Sequence, residues 1–203
     1  MPHPSHPAEF DSGFVGKDFP TDRMSKNFSS WRHLLEDRRL LIYDILEVGS
    51  RDGRSTAFFL DFFPQAFITC VNAFAGGRAN APVERAKAEE RFDNYLRSYG
   101  SRVEKVAAEA GVALHDLVKD QRKYDLIYIG GSHVRDDVLI DSLLAWRLTH
   151  PGTIVLWDDD EEEKPDQPFE AKPKIAVDRF FGSYAKQFQI LHKQYQLAAV
   201  RTV

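Results

Sequence analysis

From Tyr43 onward, short apolar runs alternate with amphipathic stretches, and the alternation predicts strands and helices in turn. Strands are expected at Tyr43–Val48, Ala66–Val71, Val103–Ala107, Tyr124–Ile129 and Thr153–Trp157. Helices are expected between them at Ser55–Phe63, Pro82–Tyr99, Gly111–Lys119 and Asp136–Leu148. Upstream, Phe28, Trp31, Leu34 and Leu35 share one face of a helix expected over Phe28–Arg38. Pro82 suits a first helical turn and Gly100 a stop. Apolar, β-branched strands separated by helices imply a parallel sheet covered on both faces. The tail departs from this rhythm. After a helix near Ile175–Tyr184, the runs Phe188–His192 and Gln196–Arg201 follow so closely that they predict a terminal antiparallel hairpin.

A chain of 203 residues fits one domain with a sizeable core. Residues 1–27, rich in Pro, Gly, Ser and Asp, are expected to form a loose extension, and 28–203 a single domain. A net charge of −4 gives no electrostatic case for nucleic acid or an anionic membrane as partner. The single cysteine, Cys70, excludes an intrachain disulfide and a cysteine-based zinc site, and its apolar run marks it as a small buried residue. No apolar run is long enough to span a bilayer, and Met1–Pro7 lacks the apolar stretch of a secretory signal, so a cytoplasmic location is expected.

The chemistry concentrates where the first strand ends. Ile45-Leu46-Glu47-Val48-Gly49-Ser50-Arg51-Asp52-Gly53-Arg54-Ser55-Thr56 reads as strand, tight turn and helix start, with the pattern Glu-x-Gly-x-x-x-Gly. Such a turn brings backbone N–H groups close to a nucleotide-like ligand, and glycine leaves room for that approach. The dinucleotide fingerprint is absent, because Arg51 and Arg54 stand where it requires glycine, which counts against a nucleotide-dependent oxidoreductase. Ser55 could cap the following helix with its hydroxyl.

This turn resembles the first motif of the class I S-adenosylmethionine-dependent methyltransferases. Further segments resemble one branch of them, the small bacterial O-methyltransferase-like proteins related to macrocin methyltransferases and cephalosporin hydroxylases. Phe28-Ser29-Ser30-Trp31 resembles the helix before their first strand. Tyr124-Asp125-Leu126-Ile127-Tyr128-Ile129-Gly130-Gly131-Ser132-His133 resembles their fourth strand, which usually ends Asp-Gly-Ser-His. Asp141 and then Pro151-Gly152-Thr153-Ile154-Val155-Leu156-Trp157-Asp158-Asp159 resemble the next helix, turn and fifth strand. The resemblance implies a Rossmann-like, doubly wound, mostly parallel seven-stranded sheet with a C-terminal antiparallel hairpin. It also implies S-adenosyl-L-methionine as cofactor and methylation of a small-molecule hydroxyl.

On that resemblance, Glu47 orients the Gly loop and meets the methionine end of the cofactor, while Gly49, Ser50 and Gly53 supply its backbone surface. Asn72 stands where an acid usually accepts both ribose hydroxyls, an exchange expected to weaken binding roughly tenfold. Glu109 falls near the adenine. His133, just beyond the fourth strand, could remove the proton of a substrate hydroxyl, help worth about 10²–10⁴ in rate, or could simply cap the next helix. Asp158 and Asp159, expected as catalytic residues with Asp158 helping His133 handle the proton, lie at the fifth strand end, where metal-dependent relatives hold a magnesium-like ion together with a fourth-strand acid. Gly130 replaces that acid, so no metal is expected. The run Asp158–Glu163 is expected to be mainly a solvated loop. The exchanges at Asn72 and Gly130 keep open an alternative, a methyltransferase-fold protein with a binding or regulatory role. A homodimer through the N-terminal helix is compatible with the pattern.

Overall fold

The computed structural model describes residues 17, 19, 24–74, 82–158 and 168–203. Strands β1 (Asp44–Val48), β2 (Phe67–Val71), β3 (Val103–Val106), β4 (Leu126–Ile129), β5 (Ile154–Trp157), β6 (Phe188–Lys193) and β7 (Leu197–Arg201) form one sheet in the order β3-β2-β1-β4-β5-β7-β6. The first five are mutually parallel, and β7 inserts antiparallel between β5 and β6. The six α-helices are α1 (Ser25–Leu35), α2 (Arg54–Phe62), α3 (Pro82–Leu96), α4 (Ala110–Lys119), α5 (Arg135–Arg147) and α6 (Pro173–Tyr184). Every expected element is present, with ends shifted by up to three residues. The largest differences are in α1, which starts at Ser25 and gives way to a 3-10 turn over Glu36–Arg38, and in α3, which gives way to another at Arg97.

Residues 45–48 of β1 are all buried because helices cover both sheet faces. Ile45, Cys70, Leu126, Tyr128, Leu156 and Ala198 face a core made with α1 and α2, where Phe28, Trp31, Phe58, Phe59, Phe62 and Phe63 meet. Leu46, Val48, Ile127, Ile129, Val155 and Trp157 face the other core, built with α4, α5 and α6 around Leu114, Trp146, Val177 and Phe180. Each fully buried ring contributes about 1.5–3 kcal/mol, so these two layers carry the fold.

Period-two alternation then dictates which side chains meet at the carboxyl edge. Paired registers align Cys70, Glu47, Tyr128, Leu156 and Ala198 across the sheet. One step of two further along the same face come Asn72, Gly49, Gly130, Asp158 and Gln196. These five positions form the floor of the candidate site.

Candidate active site

The Gly turn is shaped by contacts within the protein. Gly49 has φ +96°, and a Cβ there would lie 2.4 Å from the Cα and 2.5 Å from the N of Gly131. The turn after β1 thus lies directly on the turn after β4, backbone against backbone. Gly53 has φ +85° and is the N-cap of α2; a Cβ on it would come within 2.9 Å of the Leu96 side chain on α3. Both positions demand glycine for backbone angle and for space. Arg51 also takes a left-handed conformation, at φ +46°.

Glu47 is fully buried beneath this turn. Ser55 Oγ donates to Oε1, Thr56 Oγ1 donates to Oε2 at 2.5 Å, and the Cys70 thiol approaches Oε2 at 3.7 Å. Its oxygens are therefore spent on the first turn of α2. Burial raises its carboxyl to about 6, against the opposing pull of the Ser55, Thr56 and Cys70 hydrogen bonds. This corrects the expected role of Ser55. Helix α2 has no side-chain cap, and the Ser55 hydroxyl serves the carboxylate instead. Removing either donor leaves a buried acceptor short of a partner. Ser55→Ala and Thr56→Val should each lower stability by about 1–3 kcal/mol, read as a drop in thermal midpoint.

Ser50 is buried in the same turn, and its Oγ has no hydrogen-bond partner among the described residues. A buried hydroxyl left unpaired is costly, so this atom is a natural contact for a ligand. Asp52 is also buried there, with Arg91 Nε 3.8 Å away; desolvation nevertheless raises its carboxyl, outweighing Arg51 and Arg91.

The remaining expected residues lie along the carboxyl edge. Asn72 follows β2, its backbone N–H bonded to Val106 O. Glu109 is exposed at the start of α4 and makes no side-chain cap. His133 is exposed in the β4–α5 loop, beside Ser132, whose hydroxyl donates to Asp137 and accepts the Val134 N–H. Thr153 is buried and ties its turn together, accepting from His150 N and donating to Tyr124 O. The Arg135 guanidinium lies over the Phe169 ring, 4.6 Å from its centroid. Asp159 and the acidic run to Glu163 lie outside the described residues.

Asp158 is held in a way the sequence did not disclose. Tyr128 Oη donates to Oδ2 at 2.8 Å, and Gln196 Nε2 donates to Oδ1 at 2.5 Å. Gln196 is in turn oriented by Trp31 Nε1, which donates to its Oε1 at 2.7 Å. The only prior signals were a tyrosine two positions before Gly130 and a glutamine opening the last strand. No group of three or more metal-ligating side chains occurs among the described residues, and no described helix could cross a membrane.

The strand order, the antiparallel seventh strand and the Gly turn over the β4 loop define a class I methyltransferase fold. A methyltransferase domain family model matches residues 46–159, more than half of the chain, and the chain belongs to that family. No curated protein matches it in sequence. Among solved structures, it is similar to an O-methyltransferase from Bacillus cereus in complex with SAH, at 15% identity over 97% of this chain and 92% of that one, TM-score 0.69. It is also similar to the SAH-bound Podospora anserina methyltransferase PaMTH1, at 18% identity over 97% and 87%, TM-score 0.64. A third is CalS11, a TDP-rhamnose 3'-O-methyltransferase of calicheamicin biosynthesis, at 18% identity over 89% and 80%, TM-score 0.60.

Proposed function

We propose that this protein is an S-adenosylmethionine-dependent methyltransferase that acts on a hydroxyl of a small molecule. Family membership supports the reaction class, and the buried, unpartnered Ser50 hydroxyl in the Gly turn carries the cofactor assignment. The SAH-bound and O-methylating neighbours are consistent with both.

Ser50 and the turn of Gly49 and Gly53 would hold the amino-acid end of the cofactor, with Glu47 supporting that turn from below. Asn72 would meet the ribose as a neutral donor and acceptor, and Glu109 the adenine side. When bound, the cofactor would supply an electrophilic sulfonium methyl for the hydroxyl oxygen and leave as the thioether, and the hydroxyl proton would need a base. His133 takes that proton at the rim of the β4 loop. Asp158 accepts the hydrogen bond that aims the hydroxyl. Holding the two reactants aligned can contribute up to about 7–11 kcal/mol, so even a site of modest acid–base power would turn over. A homodimer through α1 is a further part of this reading.

Calorimetric titration with S-adenosylmethionine and S-adenosylhomocysteine, with and without magnesium, tests it. Saturable binding indifferent to magnesium is expected, lost in Gly53→Arg. Ser50→Ala gives the sharper control: it removes a hydroxyl with no protein partner, so the thermal midpoint holds while affinity falls roughly tenfold. Absence of binding at millimolar ligand would reject the cofactor assignment.

A further inference from the structure

The carboxyl edge contains a hydrogen-bonded chain that none of the preceding roles requires. Trp31 on α1, Gln196 before β7, Asp158 after β5 and Tyr128 on β4 are linked in one line: Trp31 donates to Gln196, and Gln196 and Tyr128 both donate to the Asp158 carboxylate, with Met24 Sδ a more distant 3.8 Å from the Tyr128 hydroxyl. The Trp31 indole can only donate, so it fixes the Gln196 amide with its oxygen toward Trp31 and its NH2 toward Asp158. Trp31 and Tyr128 are almost wholly buried and pack edge-to-face at 5.4 Å, so both ends of the chain are anchored in the aromatic core.

Gly130 belongs to the same device. A Cβ at 130 would lie 2.7 Å from Tyr128 Oη and 2.8 Å from two of its ring carbons. The tyrosine thus reaches up into the space that a side chain at 130 would occupy, and only a glycine there lets its hydroxyl touch Asp158. The exchange of an acid for Gly130 and the presence of Tyr128 two residues earlier are one substitution in structural terms.

The donor set does not fit a divalent cation. Such an ion needs several oxygen ligands with lone pairs turned toward it. Here each Asp158 oxygen instead receives an N–H or O–H, and the Tyr128 phenol fills the space that a side chain at 130 would take. We infer that Tyr128 and Gln196 are positioning residues that clamp Asp158 in one orientation at the acceptor pocket, replacing a metal ion with neutral donors. This inference rests on the methyltransferase reading for what Asp158 then does, namely orient the acceptor hydroxyl. The clamp itself is independent of it.

Two measurements decide the matter. Crystals of the full chain grown with S-adenosylhomocysteine and soaked in manganese chloride are read at the manganese edge. The expected map has Tyr128 Oη and Gln196 Nε2 on Asp158 and no anomalous peak within ligand distance of that carboxylate. Manganese bound to Asp158, or Asp158 turned away from Tyr128, overturns the inference, whichever cofactor the protein takes. The second measurement is a double-mutant cycle on methyl transfer to a panel of phenol, catechol and sugar hydroxyls, with EDTA present throughout. Tyr128→Phe keeps the ring and should lower kcat about tenfold with the KM for S-adenosylmethionine unchanged. Tyr128→Phe combined with Asp158→Asn should be no slower than Asp158→Asn alone, because Tyr128 acts through that carboxylate. Additive losses, or wild-type turnover that EDTA abolishes and magnesium restores, would sink the clamp while leaving the methyltransferase reading intact. Failure of cofactor binding would remove that reading and leave the diffraction result to stand for the clamp.

Discussion

Gly49→Ala abolishes cofactor binding and lowers the thermal midpoint by roughly 5–15 °C, the shift expected for a loss of a few kcal/mol in a chain of this size. Two independent costs coincide at this position. The φ of +96° is a conformation that a Cβ disfavours, a penalty of about 1–3 kcal/mol in the absence of any clash. The added methyl would also stand 2.4–2.7 Å from Gly131 and Gly130 backbone atoms, which have no flexible end to swing aside. Relief requires the β1 and β4 turns to separate, which moves Ser50 on one side and His133 on the other. Differential scanning calorimetry and ligand titration on the same preparation check both effects. A variant with an unchanged midpoint and intact binding would refute the backbone-on-backbone packing.

Stability falls as pH rises from about 4 to about 7, and Asp141→Asn removes a large part of that slope. Asp141 on α5 is 2% exposed, and burial with the nearby Asp137 raises its carboxyl from 3.8 to about 7. Below its unfolded value both states carry the proton and the native state suffers no penalty. As pH climbs toward 7 the unfolded chain releases the proton first, so the equilibrium drifts to the unfolded side. The full shift corresponds to at most about 4 kcal/mol. Glu47, raised to about 6, acts in the same direction over its own window, and Asp52 and Asp61, raised by burial, add to it. Glu104, lowered chiefly by its hydrogen bond from Arg122, works the other way and costs stability only in acid. Urea midpoints at pH 5 and pH 8 provide the measurement. The gain from Asp141→Asn over wild type should be about two- to threefold larger at pH 8 than at pH 5, and an equal effect at both pH values would exclude a neutral Asp141 carboxyl.

The fold was almost wholly legible in the chain. Strand and helix periods differ, the two apolar faces of each strand required cover on both sides, and the crowded final runs demanded a hairpin. That the candidate residues gather at one edge was also legible, because open α/β sheets bring their strand ends together there. Glu47, Asn72, Glu109, His133 and Asp158 all end or follow strands there. Their partners were not legible. Glu47 meets Ser55 and Thr56 only because alternation turns it toward α2, and Ser55, which reads as a cap, is taken by that carboxylate.

What the sequence determined by itself is the order of elements, the Gly turn after the first strand and the family to which those segments belong. These depend on local backbone preference and on periods of two and 3.6, which neighbours along the chain express. What only the tertiary structure decided is how residues far apart share hydrogen bonds. Trp31 and Gln196 are separated by 165 positions, and Tyr128 and Asp158 by 30. Within its apolar run Tyr128 reads as core, and its ring is core. Its hydroxyl becomes part of the site only because Gly130 lacks a side chain above it and β5 places Asp158 alongside. That is a fact of register and of space, and no local pattern records it.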